Sequence, residues 1–134
     1  MTFTEVTGEV GLQGTLPLSY ECSGTIYKGQ AVRLCGTMKV KAPGATPAGG
    51  VISGCVGIAE YKQTDGQWIG VYGPGTICYS RISGTTGLVG EYLAPVGAGL
   101  LEYHAAQKPC SGNVGFIALE TQATTIGLCR VLIK

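Results

Sequence analysis

Glycine occupies 23 of the 134 positions, about one in six, and is spread along the chain rather than gathered into linkers. Each glycine in a helix interior costs roughly 1 kcal/mol against alanine, so long helices are not expected. The segments between glycines are short, rich in Val, Ile, Tyr and Thr, and punctuated by Pro, Gly or Asp-Gly. The pattern predicts an all-β protein, a small barrel or a compact sandwich.

Read in order, residues 1–19 form an extended, Thr/Gly-rich N-terminal arm in which Pro17 limits regular pairing, and residues 20–134 form a single β domain. GQAVRLCG (29–36) and TMKVKA (37–42) predict a hairpin turning at Cys35-Gly36-Thr37. PGATPAGG (43–50) and SGTTG (83–87) read as loops. Asp65-Gly66, between ISGCVGIAEYK and QWIGVYG, is the strongest hairpin signal. TICYSRI (76–82) alternates, with Cys78, Ser80 and Ile82 on one face. GEYLAPVGAG and LLEYHA predict a further strand pair, and LLEYHAAQ also fits one helical turn. SGNVGFIALE and IGLCRVLIK predict a last hairpin.

Two of these segments echo each other. Ser53-Gly-Cys-Val-Gly and Ser111-Gly-Asn-Val-Gly share a frame, with Gly54 and Gly57 recurring 58 residues on as Gly112 and Gly115. Gly29 and Gly36 recur 61 residues on as Gly90 and Gly97, and Ile69-Gly70-Val71 matches Ile126-Gly127-Leu128 at 57. Collinear matches of this kind predict a duplicated β unit of about 60 residues, spanning about 27–75 and 88–134. Halves this short bury little on their own, so they are expected to close together into one barrel or compact sandwich. Gly54, Gly57, Gly112 and Gly115 are then structural glycines at bulges, bends or close backbone approaches, with Val56 and Val114 filling the interior.

Charge and chemistry narrow the function classes. A net charge of +1 with nine scattered basic residues gives no footprint for nucleic acid. No run of 18 apolar residues is present, so no membrane span is expected, and the first residues carry no signal-peptide pattern. Six widely spaced cysteines, several of them inside apolar runs and without an export signal, read as reduced, buried thiols, with one or two disulfides formed after cell lysis as the alternative. The single His104 and single Asp65 make a poor catalytic inventory, with Asp65 already the best turn residue. No close cysteine pair or calcium-loop pattern is present, so neither a metal nor a cofactor is expected. Trp68 either packs over its hairpin or, with the tyrosines, lines a shallow platform. Charged residues are only 13% and apolar residues 45%, which points to extensive burial against a partner.

YKGQAVRL, APGATPAGGVISGCVGIAEY, GEYLAPVGAGLLEY and SGNVGFIALE together resemble the capsid decoration (cement) proteins of tailed bacteriophages, over about residues 27–118. The resemblance implies a non-enzymatic virion protein, made in the host cytoplasm and bound to the capsid exterior. It implies the major capsid protein as partner, a homotrimer, and stabilisation by clamping neighbouring capsid subunits. Phe3, Val6, Val10, Leu12, Leu16 and Leu18 are the expected capsid or subunit contacts, through strand addition by the arm. A head-fibre or tail-associated β domain that binds glycans or a host surface is the other reading.

Overall fold

Short apolar runs separated by glycine turns fold into eleven strands, with no α-helix among the described residues. The computed structural model describes residues 11–13, 16–43, 54–83, 89–96, 99–103, 114–121 and 126–134. The strands are β1 (Gly11–Gln13), β2 (Leu18–Cys22), β3 (Ala31–Gly36), β4 (Lys39–Lys41), β5 (Cys55–Ala59) and β6 (Trp68–Tyr72). They continue as β7 (Ile77–Ser83), β8 (Tyr92–Val96), β9 (Leu100–Tyr103), β10 (Phe116–Ala118) and β11 (Ile126–Ile133).

The first unit is a closed barrel in the order β2-β4-β3-β5-β6. Its first and third strands run parallel, pairing Cys22 with Val40, and all its other pairings are antiparallel. The second sheet runs β1-β7-β11-β10-β8-β9, and β9 returns to β7 through a parallel pair at Ile82 and Leu101. Strands β7 to β11 therefore repeat the ring order of β2 to β6, strand for strand.

Register confirms the duplication residue by residue. Leu18 opposite Val71 becomes Cys78 opposite Val131, and Ala59 opposite Val71 becomes Ala118 opposite Val131. Leu34 opposite Val40 becomes Pro95 opposite Leu101. The Gly29 amide donates to the Ala59 carbonyl at 3.0 Å, and the Gly90 amide donates to Ala118 at 2.7 Å. Even the hairpin turns agree, with positive φ at Met38 and at its counterpart Gly99.

Four sequence expectations change. The first strand of each unit, β2 and β7, lies outside the expected repeat bounds, so the units span 18–72 and 77–133. Ile69 aligns with Cys129, not Ile126, because Ile69 faces Tyr20 and Cys129 faces Ser80, which is 60 residues past Tyr20. Each unit also closes its own ring rather than sharing one. The Cys35-Gly36-Thr37 turn moves one residue on, to Thr37-Met38, with a bulge at Leu34 to Gly36. LLEY is a strand, paired with β8 as a hairpin.

The cores explain why two rings stand on one chain. Cys22, Ile26, Val32, Val40, Ala59, Ile69 and Val71 pack together among the first unit's strands. Their counterparts Ile82, Leu93, Leu101, Ala118, Cys129 and Val131 belong to one cluster of the second unit. That second cluster also takes in Ala31, Cys55 and Ile58 from the first. The units thus bury apolar surface against each other, which small domains need for stability.

Polar contacts lock the same junction. The Gly29 carbonyl accepts from the Arg81 amide at 2.9 Å and from Ser80 Oγ at 3.2 Å. Arg81, 4% exposed, also donates from Nε to the Lys28 carbonyl at 2.8 Å. A Cβ on Gly29 would stand 3.3 Å from Leu128 Cδ2, so the second unit sits directly on this turn.

Candidate interaction surfaces

The arm is anchored where it reaches the described residues. β1 lies antiparallel to β7, with Gly11 opposite Cys78 and Gln13 opposite Ile77, while Leu18 and Ser19 open β2. Phe3, Val6 and Val10 lie outside the described residues, and Leu12 falls within β1. Leu16 is 89% exposed and Leu18 62%, so two of the expected contacts present apolar surface to solvent beside the barrel.

A second surface forms on the outer side of β6, β2 and β4. Inward residues alternate with outward ones, so Ile69, Cys22 and Val40 fill the core while Trp68, Glu21 and Lys39 face out in one row across three strands. Trp68 is 56% exposed. It therefore does not lie buried over its hairpin. The exposed Tyr61 stands alongside, its hydroxyl donating to the Trp68 carbonyl at 3.4 Å, and Gln63 Nε2 donates to the same carbonyl at 3.3 Å. Lys39 Nζ and Glu21 Oε1 are 3.7 Å apart, an exposed pair of small energetic value.

Asp65 is occupied structurally. Its Oδ1 accepts from the Gly24 amide at 2.8 Å, and the Gly66 amide donates to the Cys22 carbonyl at 2.9 Å. Asp65-Gly66 forms the turn expected of it, closed by Gln67 donating to Thr64, inside an eight-residue connection (60–67) between β5 and β6. The other lone catalytic candidate, His104, lies outside the described residues. Among the described residues, no three His, Cys, Asp or Glu side chains group as a metal site, and no helix is long and apolar enough to cross a membrane.

Five cysteines are described as free thiols; Cys22, Cys55, Cys78 and Cys129 are buried and Cys35 is exposed. The duplication shows what several of them do. Cys35 lies in the bulge between Leu34 and Gly36, while Cys22 stands where the second unit has Ile82, Cys129 where the first has Ile69, and Cys78 where the first has Leu18. These last three take the places of aliphatic side chains. Burial pushes the Cys55 and Cys78 thiols up to about 12, with Arg33 opposing the shift at Cys55.

The glycines of the echoed phrase are structural where they are described. Gly57 abuts the Tyr72 carbonyl and lies at a bulge that leaves Val56 unpaired between Gly57 and Cys55. Gly54 has φ of 82°. Gly115 exchanges both backbone hydrogen bonds with Lys134, and Gly112 lies outside the described residues. The phrase-closing glutamates share a role too. Glu60 lies over Gly70, and Glu120 accepts from the amide of Arg130, the counterpart of Gly70. Val56 is half-buried against the first core and Val114 against the second.

No protein-family model matches the chain, and no curated protein matches it.

Proposed function

We propose that the chain is a non-enzymatic structural protein of a tailed-phage virion. It binds the outer surface of the capsid and stabilises it by clamping neighbouring major capsid subunits. Supporting this reading are the segments that resemble capsid decoration proteins and a sequence poor in charge. The observation that carries it furthest is the exposure of Leu16 and Leu18 beside an arm already engaged in strand pairing. Exposed apolar side chains next to a strand that adds to sheets suit a partner recognised through backbone hydrogen bonds and apolar anchors. Many copies on one shell turn modest single contacts into firm occupancy.

The test is cosedimentation of purified protein with expanded empty capsids, beside parallel incubation with host cells and immobilised glycans. Binding to capsids alone is the expected result. Binding to glycans or cells without capsid binding overturns the proposal in favour of a fibre or tail-associated domain.

A further inference from the structure

Two cations face each other across β3 and β4 with nothing beside them to balance their charge. Arg33 lies directly opposite Lys41 in the antiparallel register, which sets their Cβ atoms roughly 5 Å apart on one face. Like charges so placed repel. Both side chains are half-buried, and Arg33 Nε is shut off from water with no hydrogen-bond acceptor. Burying an ionised donor without an acceptor costs free energy that a bound anion would return.

The surroundings hold no counter-charge. On the other side of β3, Arg33 pairs with Cys55, whose thiol stays protonated at neutral pH. The carboxylate next along the sheet, Glu21, is already paired with Lys39 at 3.7 Å. Residues 42–54, which join Lys41 to Cys55, contain no Asp or Glu. Among the described residues, neither Arg33 nor Lys41 has an ion pair. The second unit supplies a control. The same two sites there are Ala94 and Glu102, opposite each other in the matching register. The frame thus accepts a small apolar residue and a carboxylate at these positions, and the paired cations are no requirement of the fold.

We infer that Arg33 and Lys41 form a binding site for a carboxylate, supplied by an Asp or Glu side chain of the protein to which this chain binds. A guanidinium and an ammonium side by side suit the two oxygens of one carboxylate, and such charge-assisted bonds are the stronger kind. The same hairpin exposes Leu34 (43%) and Met38 (49%), apolar surface that a protein contact covers and a free ion does not. The site deepens the decoration reading and rests on it only for the identity of the partner.

Three variants of the full chain test the site: Arg33→Gln, Lys41→Gln and Lys41→Glu. Lys41→Glu copies Glu102 and gives Arg33 a cross-strand counter-charge, so it is expected to melt about 2 °C or more above wild type while losing the site. A fall in its melting temperature contradicts the unbalanced charge from which the inference starts. Thermal melts at pH 7 then compare succinate, and inorganic phosphate in parallel, with chloride at equal ionic strength. Wild type is expected to gain more from succinate than from chloride, and each variant to lose most of that gain. An equal gain in wild type and variants is a general salt effect and overturns the site. A gain from phosphate that exceeds the gain from succinate overturns the carboxylate assignment in favour of a phosphate ligand. In capsid cosedimentation, each variant is expected to bind about tenfold more weakly than wild type. Undiminished binding overturns this contact alone, whereas a wild type that fails to bind overturns the decoration reading and leaves the succinate melts to decide the site.

Discussion

Gly57 lies against the main-chain carbonyl of Tyr72 so closely that a Cβ would overlap it, and that Cβ would also stand 2.9 Å from Val71 Cγ1. Neither neighbour yields easily, since one is backbone and the other is core. Gly57→Ala is expected to lower stability by about 3 kcal/mol or more, and Gly57→Val to prevent folding. Gly54→Ala faces open space and only a left-handed backbone, at a cost of about 1–2 kcal/mol. Urea unfolding followed by Trp68 fluorescence measures both, and equal losses would refute the distinction.

Arg81 and Arg130 lie on adjacent strands of the second unit in opposite surroundings. Arg81 is buried at the junction between units, whereas the Arg130 side chain is 50% exposed in its 3.2 Å pair with Glu120. Arg81→Ala removes a charged donor from the Lys28 carbonyl and is expected to cost about 2–4 kcal/mol. Arg130→Ala is expected to cost less than about 1 kcal/mol. Equilibrium unfolding of the two variants checks the order.

The buried thiols set a response to alkaline pH. Cys55 and Cys78 rise from an ordinary 9.0 to about 12, so between those values the folded chain keeps protons that the unfolded chain releases. Stability is then unaffected below pH 9 and falls above it, by about 1.4 kcal/mol per pH unit for each thiol. Cys78→Ala should show a slope shallower by about that amount over pH 9 to 11, whatever its absolute stability. A slope equal to wild type contradicts the assignment. Iodoacetamide at pH 8, read by peptide mass spectrometry, is expected to label Cys35 in the native protein, and Cys22, Cys55, Cys78 and Cys129 only in urea.

Leu16 and Leu18 are exposed enough to change without disturbing a core. Replacing both with Ser is expected to leave the melting temperature within about 3 °C while reducing capsid occupancy at limiting protein. Deleting residues 2–10 keeps β1 in place and tests the remainder of the arm separately. Full occupancy in both variants removes the arm from the contact.

Much of the architecture was legible because its causes are local. Glycine spacing excluded helices, Asp65-Gly66 made its turn, and the repeated SGxVG phrase marked equivalent strands. Ile77–Ser83 was legible as a strand from its alternation, but its place as the first strand of a unit was not, nor was that of Leu18–Cys22. Each pairs in parallel with a strand well downstream, and parallel pairing leaves no turn signature between partners. Phe116 hid the register as well. It is inserted ahead of Ile117-Ala118, which repeat Ile58-Ala59, so aligning by glycine alone misplaced the following strand. Of the interaction surfaces, Leu16 and Leu18 were legible as apolar residues outside any pattern. The Trp68 row was not, because it joins residues from three strands that only the ring brings side by side.

The pairing of β1 with β7 has a consequence for how the molecule is made. Residues 18–72 contain every strand of the first ring, so that ring is able to form while the rest is still being translated. Gly11–Gln13 leaves the ribosome earlier still, yet its seat is built from Ile77 and Cys78. β1 is therefore made before the ring beside it, yet it docks only once the start of the second unit has been made.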